Sequence, residues 1–535
     1  MNALDEFLRQ TPTAKGWEKV GVEQHHGVVI PLFALHSQKS CGIGEYPDLI
    51  SMILWAKDLG LDTIQLLPLN DTGHSPSPYG ALSAQALNPI HLGLSSLPFV
   101  DESDDLHFML KEMQKLNSST RIDYTKLHDD RTLFLKAYFN LHSKNLLSDP
   151  AYIHFNNENG WLKNYALFKS IKIRFLWEKW SEWPSHMRDP TPESLEQLYM
   201  QFEADIAFHS CIQYLCFQQM EEMKSFADRH SVILIGDIPI LIDCESADVW
   251  LQRHLFDLSF TAGAPPDVYK AEGQNWGFPL FNWTAMKEQR YLWWKQRLEI
   301  AENFYSAYRI DHVVGFYRIF AIPPNSEPCE GHFIPENEAL WLRHGDHILR
   351  ELLSATTMLP IAEDLGTVPL EIKENLITLG ICGTRVMRWE RLWHSDGWPY
   401  IPLTHYNPLG LTTVSTHDSE TLFQWWNCFQ DDAIAYTKGP LRESRLELHY
   451  SSSLSAEMRK AILHDSHHTS TIFHVNPLQE YLAYIPDLVW EDPNMERINI
   501  PGTVSDENWS YKFAASVEEI SNNTPLAEFI RSVIA

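Results

Sequence analysis

Short apolar runs that end in acidic, glycine or proline residues recur along the chain and predict the strands of a sheet. The first run covers residues 27–35 and the second covers residues 62–68. An amphipathic stretch between them predicts a helix to Leu59, which Gly60 ends as a C-terminal cap. A strand, a helix and a second strand within about forty residues are typical of a parallel βαβ unit.

Later apolar runs repeat this pattern and bring the number of predicted strands to about eight. They cover residues 231–240, 305–311, 358–366, 381–389, 411–418 and 480–489. Helical patterns separate most of them, which favours an α/β fold of the (β/α)₈ barrel type. A doubly wound open sheet is the alternative fold. In a barrel, the C-terminal ends of all strands surround one opening.

Two long segments interrupt the alternation of strands and helices. Residues 95–230 carry long helical patterns and no strong strand, so they predict a mainly helical insertion between strands 2 and 3. Residues 243–300 begin with a passage rich in Asp, Gly, Pro and Trp, which predicts an inserted loop region between strands 3 and 4. A loop of this length in a compact domain usually has a function. We expect one domain over residues 1–535 that contains both insertions.

The composition excludes several classes of protein. The chain has 535 residues, and its 70 acidic and 42 basic residues give a net charge of -28, which would repel nucleic acid and anionic membranes. We find no apolar run of transmembrane length and no signal peptide pattern. The seven cysteines contain no C-x-x-C pair, which predicts reduced thiols. We therefore expect a cytoplasmic protein with a neutral or cationic ligand; the sequence leaves its oligomeric state open.

Three acidic residues follow predicted strands at equivalent positions, namely Asp311, Glu363 and Asp418. A barrel would bring them together at one opening, where mutual repulsion would raise the pKa of at least one carboxyl group. Arg309 lies two residues before Asp311, so both side chains project from one face of the strand, and the guanidinium would keep the carboxylate ionised. An isolated Arg-x-Asp pair is more often structural, but three converging acids favour a catalytic site.

An ionised and a protonated carboxyl group are the minimal apparatus for glycoside cleavage. Asp311 suits the nucleophile, and Glu363 suits the general acid and base. Asp364 competes with Glu363 for the inward position, and strand alternation leaves that choice open. Asp418, beside His417, could bind sugar hydroxyls and favour a positively charged transition state.

Other chemistries find less support in the sequence. The chain has no His-Glu-x-x-His metal motif, no G-x-S-x-G nucleophile motif and no phosphate-binding glycine-rich loop. His312 and His417 lack further metal-ligand partners, so hydrogen bonding to sugars or to the protein suits them better. His467 and His468 have no supporting pattern, and we expect both on the surface. The predicted chemistry requires no metal and no organic cofactor.

Seven motifs resemble the amylomaltase family of 4-α-glucanotransferases in the α-amylase superfamily, and they run in order along nearly the whole chain. The motifs are Asp237-Ile238-Pro239-Ile240, Ser246-Ala247-Asp248-Val249-Trp250, Ala262-Gly263-Ala264-Pro265-Pro266-Asp267, Gly273-Gln274-Asn275-Trp276-Gly277, Arg309-Ile310-Asp311-His312, Ala362-Glu363-Asp364-Leu365-Gly366 and Thr416-His417-Asp418. The resemblance implies a (β/α)₈ barrel with inserted subdomains and no C-terminal β-domain.

The resemblance also implies a retaining double displacement. Asp311 would attack the anomeric carbon, Glu363 would protonate the departing oxygen and then activate the acceptor, and Asp418 would stabilise the transition state. The residues implied in substrate binding are Arg309, His312, His417, Asp237, Ser77, Tyr79 and Asn499, with Gln274 and Trp276 on the long loop over the acceptor side. Departures from the family pattern, at Glu245, Gln85, Ser419 and Pro486-Asp487, remove no catalytic group.

Transfer rather than hydrolysis requires a groove that binds glucan and excludes water. The aromatic loop residues Trp276, Phe278, Phe281 and Trp283 are candidates for that groove. We therefore expect an enzyme that moves α-1,4-linked segments between malto-oligosaccharides. An α-1,4-glucan hydrolase on the same barrel and a non-catalytic glucan-binding protein are the alternatives.

Overall fold

A closed barrel of eight parallel strands forms the centre of the protein, which confirms the predicted (β/α)₈ barrel. The computed structural model describes residues 3–266, 271–393, 395–443 and 448–535. Each strand pairs with its neighbours in chain order, and β8 closes the barrel against β1. The strands are β1 His25–Ile30, β2 Thr63–Leu66, β3 Ile233–Ile238, β4 Ala307–Ile310, β5 Leu359–Ala362, β6 Cys382–Val386, β7 Gly410–Thr413 and β8 Phe473–Pro477.

Helices surround the barrel and form the two ends of the chain. Gly60 ends the first helix after β1 in the left-handed conformation, with φ of 84°, as its position predicts. Outside the insertion between β2 and β3, the α-helices are Ala3–Leu8, Ala14–Val20, Asp48–Leu59, Ala247–Leu251, Trp283–Glu288, Leu292–Ala301, Trp341–Leu353, Leu370–Leu379, Leu422–Cys428, Gln430–Lys438, Pro440–Glu443, Ala456–His467, Leu478–Leu482, Val517–Ser521 and Thr524–Ile534.

The N-terminal end of the barrel is closed by apolar packing. Interior side chains of the strands, among them Ile235, Leu359 and Phe473, form one cluster with Trp17 from the helix Ala14–Val20. The indole of Trp17 packs on Phe473 at 6.2 Å between ring centroids, and its Nε1 donates to the carbonyl of Gly380 at 2.9 Å. This packing closes the end of the barrel opposite its C-terminal mouth.

The segment between β2 and β3 is helical over most of its length. Trp183 is buried there against Phe168, at 5.5 Å between centroids, and against Trp250 from the segment after β3, at 5.7 Å. The helices are thus packed onto the barrel's own connections. Their bounds are Asp104–Gln114, Tyr124–Leu147, Pro150–Glu158, Gly160–Arg174, Ser185–Arg188, Pro192–Gln201 and Glu203–Arg229.

Part of the predicted loop region after β3 is a small antiparallel sheet. Strand Thr261–Ala264 pairs with Gln274–Asn275 and with Ile319–Ile322, which also pairs with His332–Ile334. The sequence of this strand resembles a loop because Ala and Gly have little strand propensity. Gly263 is needed there, because a Cβ at this position would lie 2.0 Å from the carbonyl oxygen of Gln274 on the neighbouring strand. A further short pair joins Phe256–Asp257 to Leu280–Phe281. Asp267 lies outside the described residues.

The predicted position of the last strand, residues 480–489, is wrong. The structure places β8 at Phe473–Pro477 and a helix at Leu478–Leu482. Polar His474 and Asn476 interrupt the apolar pattern of β8, although both are buried. Glu480 lies on this helix, where it is buried and pairs with Arg459 at 3.1 Å.

His467 is buried, so its predicted surface position is wrong, whereas His468 is exposed as expected. The Nδ1 atom of His467 lies 2.9 Å from Nδ1 of His26, and its Nε2 lies 2.7 Å from the hydroxyl of Tyr481. His26 stacks on His474 across the β1–β8 pair, with 5.0 Å between centroids. We call His26, His467 and His474 the histidine cluster; it lies where the helix Ala456–His467 packs on these strands.

Candidate active site

Arg309 joins two carboxylates at the C-terminal mouth of the barrel. It is the register partner of Asp237 on the neighbouring strand, and its Nη1 donates to both Asp237 oxygens at 2.8 and 2.7 Å. Its Nη2 lies 3.0 Å from Oδ1 of Asp311, the contact that the alternation of β4 predicts. Asp237 is fully buried, whereas the side chain of Asp311 is 26% exposed and open to the mouth.

Glu363 follows β5 and is held by the backbone of the adjacent strand ends. Its carboxyl oxygens accept the N–H of His312 at 2.8 Å and the N–H of Leu365 at 3.1 Å. Burial raises the pKa of Glu363 to about 7; the positive charge of Arg309 opposes this rise and the negative charge of Asp311 adds to it. Near neutral pH this carboxyl group can therefore both give and accept a proton.

Asp364 points away from the mouth, which decides between the two neighbouring acids. Its carboxylate accepts the N–H of Thr384 at 2.8 Å and pairs with Arg385 at 3.1 Å. Both partners belong to β6. Asp364 and Arg385 thus form a structural ion pair that joins β5 to β6, and Glu363 is the acid that faces the mouth.

Asp418 is held after β7 by an amide and an imidazole. Its Oδ1 accepts from Nδ2 of Asn499 at 2.6 Å, and its Oδ2 lies 3.2 Å from Nε2 of His417. Desolvation raises the pKa of Asp418, but the charge and hydrogen bond of His417 and the hydrogen bond of Asn499 outweigh it and lower the pKa to about 2. Asp418 is therefore an ionised carboxylate at neutral pH.

Tyr79 connects the loop after β2 to the charged groups of the mouth. Its hydroxyl donates to Asp237 at 2.8 Å and lies 3.0 Å from Nε2 of His417. Its ring packs on His417 and on Trp509, with 5.6 Å between centroids in both cases. The hydroxyl of Ser77 accepts the N–H of Tyr79 at 3.4 Å and so supports this turn.

The small sheet reaches the mouth beside Asp311. The indole of Trp276 meets the ring of His312 edge-on, at 4.9 Å between centroids, and Gln274 Oε1 accepts from Trp276 Nε1 at 3.3 Å. Burial lowers the pKa of His312 to about 4, so its imidazole is neutral. The structure thus brings Gln274 and Trp276 to the rim through His312.

Two further residues contact this site although the sequence reasoning did not assign them to it. Trp509 packs on Tyr79 and on His417, and its φ of 65° is uncommon for a bulky residue. Arg497 donates to the carbonyls of Asp418 at 3.2 Å and of Asn499 at 2.8 Å. Arg497 could have been found, because it lies two residues before Asn499, which the resemblance assigns to the site. Trp509 belongs to none of the motifs.

Across the described ranges, no group of three or more His, Cys, Asp or Glu side chains has a geometry that could hold a metal ion. In the same part of the chain, no helix has both the length and the apolar character needed to cross a bilayer.

A (β/α)₈ barrel with an ionised carboxylate and a proton-exchanging carboxyl group at its C-terminal mouth has the groups that cleavage of a glycosidic bond requires. The family model described as 4-alpha-glucanotransferase matches residues 30–517. A 4-alpha-glucanotransferase of Chlamydia pneumoniae is 42% identical over 536 residues, which cover 100% of this chain and 99% of that relative. The chain belongs to the 4-alpha-glucanotransferase family.

Solved structures agree on the fold. The amylomaltase of Streptococcus agalactiae has a TM-score of 0.80 at 23% identity, over 96% of this chain and 98% of that one. The amylomaltase of Corynebacterium glutamicum has a TM-score of 0.78 at 20% identity, over 100% of this chain and 76% of that one. The fold of this chain is therefore similar to those of both amylomaltases over nearly its full length.

Proposed function

We propose that the protein transfers segments of α-1,4-glucan between malto-oligosaccharides by a retaining double displacement at Asp311. Membership of the 4-alpha-glucanotransferase family supports the transfer reaction. The observation that carries the mechanism is the pair of environments at the mouth: Asp311 is bound by Arg309, whereas buried Glu363 has a pKa of about 7. Two carboxyl groups in different environments can divide the roles of nucleophile and acid.

In the first half of the reaction, a carboxylate oxygen of Asp311 attacks the anomeric carbon of the donor glucan. The bond from that carbon to the glycosidic oxygen breaks, and Glu363 gives its proton to the departing oxygen. The products are a glycosyl ester on Asp311 and a shortened glucan with a free hydroxyl. The backbone N–H groups of His312 and Leu365 fix the Glu363 carboxyl group for this step.

In the second half, a hydroxyl of the acceptor glucan attacks the same anomeric carbon. Glu363, now ionised, takes the hydroxyl proton, and the ester bond to Asp311 breaks. One glycosidic bond has been broken and one formed, with the same configuration at the anomeric carbon. Both carboxyl groups return to their starting states, and no cofactor takes part.

The surrounding polar groups would bind the sugar at the point of cleavage. Asp418, ionised and held by Asn499 and His417, supplies negative charge where the transition state becomes oxocarbenium-like. The fully buried Asp237 fixes Arg309 at the sugar site, and the remaining N–H donors of Arg309 can bind sugar hydroxyls. The other proposed substrate-binding residues are His312, Tyr79, Ser77, Gln274 and Trp276.

Fewer aromatic residues than the sequence indicates are candidates for the acceptor groove. Phe281 is buried against Trp293 and Trp294, at 5.5 and 5.6 Å between centroids, so it belongs to the packing beneath the loop. Trp276, Phe278 and Trp283 are partly exposed and remain candidates for shielding the glycosyl ester from water. We propose that this shielding favours a glucan hydroxyl over water as the acceptor.

We further propose that the protein is one catalytic domain that works in glycogen and maltodextrin metabolism in the cytoplasm. All seven cysteines are unpaired thiols, which supports a reducing compartment. The net charge of -28 supports uncharged glucans, and not nucleic acid, as partners.

Incubation with maltotriose tests the proposed function. We expect glucose together with a ladder of longer malto-oligosaccharides, while the total number of reducing ends stays nearly constant. Chromatographic separation of the products and a reducing-end assay measure both quantities. A product mixture of glucose and maltose alone, with rising reducing ends, would establish the hydrolase instead.

A further inference from the structure

Two tryptophans are exposed on a narrow hairpin that follows β6. Trp393 and Trp398 are 49% and 57% exposed, and their rings lie 5.9 Å apart between centroids at an angle of 48°. The hairpin is closed by the N–H of Leu392, which donates to the carbonyl of Pro399 at 2.9 Å, and by the Arg391–Tyr400 bridge. We call residues 390–393 and 395–401 the tryptophan hairpin.

Arg391 links the two arms of the hairpin. The guanidinium of Arg391 lies over the ring of Tyr400, at 4.0 Å from its centroid, and pairs with Asp432 at 2.9 Å. It also lies 5.9 Å from the ring centroid of Trp393. Trp398 has a φ of 44°, a left-handed conformation that bulky side chains rarely adopt. Backbone strain of this kind persists where the surroundings impose it, and it concentrates at functional sites.

The hairpin stands on the same rim as the carboxyl groups of the site. It follows the C-terminal end of β6 after a short turn over residues 387–389, and β6 pairs with β5, the strand that Glu363 follows. Burial raises the pKa of Glu390 at the base of the hairpin, and the positive charge of Arg385 opposes that rise. Arg385 is the partner of Asp364, so the base of the hairpin lies close to the Asp364–Arg385 ion pair. Trp393 is three residues further on, within about 10 Å of Glu390 along an extended chain.

We propose that Trp393 and Trp398 form an outer binding platform for a linear α-1,4-glucan whose reacting end lies at Asp311. This inference rests on the proposed function. Sugar faces rich in C–H bonds stack on indoles, which present a large apolar surface at little cost in side-chain entropy. The α-1,4 linkage turns each glucose unit relative to the last, so the chain curves. Two rings inclined at 48° offer their faces to successive parts of such a curved chain.

The platform predicts that the effect of removing the indoles depends on substrate length. We expect the variant carrying Trp393→Ala and Trp398→Ala to lose about tenfold or more in kcat/KM with a long linear maltodextrin, mostly through KM, because two aromatic contacts are lost. Maltotriose is too short to reach from Asp311 to the platform, so we expect a loss of kcat/KM several times smaller with this donor. Initial rates of donor consumption, followed by chromatography of the products, measure this ratio.

Two matched variants accompany the experiment. Phe108→Ala removes another exposed aromatic ring, 65% exposed on the helix Asp104–Gln114, and should leave the ratio between the two donors at its wild-type value. A variant with Trp393→Tyr and Trp398→Tyr keeps aromatic faces and should restore most of the lost kcat/KM. Melting temperatures should agree with wild type, since both indoles are exposed.

The outcome separates this inference from the proposed function. If wild-type protein disproportionates maltotriose and the double alanine variant loses the same factor with both donors, or nothing with either, the platform is refuted and the function stands. If wild-type protein does not disproportionate maltotriose, the proposed function fails first.

Discussion

The two ends of the barrel bury polar groups in opposite ways. At the C-terminal mouth, Arg309 is paired with Asp237 and Asp311, so charges are retained inside the protein. Near the N-terminal ends of β1 and β8, burial lowers the pKa of all three members of the histidine cluster, which therefore stay neutral. Buried charge is costly even when paired. At the mouth the paired charges surround the site of the proposed chemistry, whereas neutral hydrogen bonds join the members of the histidine cluster.

The largest expected effect is at the charged end. Asp311→Asn removes the nucleophile, so the rate of maltotriose disproportionation should fall by about 10⁴-fold or more. The melting temperature should change little, because the side chain is partly exposed and the substitution preserves its shape. Glucose release measured over long incubation checks the activity. Turnover within tenfold of wild type would remove Asp311 from the role of nucleophile.

The neighbouring acid should behave as a structural residue. Asp364→Ala leaves Arg385 buried without its carboxylate partner, which should lower the free energy of unfolding by about 3 kcal/mol. Its kcat at a temperature where the variant is folded should fall far less than that of Asp311→Asn. Urea unfolding and initial rates provide the two measurements. A stable variant without activity would show that Asp364, and not Glu363, acts at the mouth.

The pH dependence of the donor reaction should report Glu363. The first step needs a protonated acid, so kcat/KM for maltotriose should fall about tenfold per pH unit above the pKa of Glu363, which is about 7. Below that pH the group is protonated and this limb is flat. In Glu363→Gln the amide cannot titrate, so the residual activity should lose this alkaline limb. An unchanged limb in that variant would assign the titration to another group.

At the opposite end, acid should act on stability and not on catalysis. The pKa of His474 is lowered to about 3, and that of His467 lies well below its usual value. A histidine in the unfolded chain takes up a proton below about pH 6.5 while the folded one does not. The free energy of unfolding therefore falls as the pH falls, by up to about 1.4 kcal/mol per pH unit for each buried histidine.

The variant His467→Gln isolates one member of the histidine cluster. The other charged groups near the cluster are retained in this variant. They are Asp62, which favours a charge on His26, His464 on the helix Ala456–His467, and His468 directly after it. The slope of unfolding free energy against pH should decrease by about 1.4 kcal/mol per unit between the unfolded and folded pKa values. Urea titrations from pH 7 downward measure it. A slope equal to that of wild type would contradict the assignment.

The barrel was predictable because its signal is local and repeated. Apolar runs followed by acids mark strands whose ends meet at one mouth, so Asp311, Glu363 and Asp418 could be selected without coordinates. β8 was not found, because polar His474 and Asn476 hide it; their buried partners become visible only in three dimensions.

The rest of the site depends on contacts between distant segments. The choice of Glu363 over Asp364 is made by Arg385 on the next strand, which alternation within one strand does not reveal. Strand pairing of Ala262-Gly263-Ala264 is imposed by its neighbours against its own propensity. Trp509 reaches Tyr79 from the far end of the sequence, and no spacing rule connects the two.

The helix Ala14–Val20 sets a constraint on the order of synthesis. Its Trp17 and Thr13 at its start bind the carbonyl of Gly380, and Trp17 also rests on Phe473. A chain emerging from the ribosome thus presents this helix long before its binding surface exists. This helix can seal the floor of the barrel only after nearly the last strand has been translated.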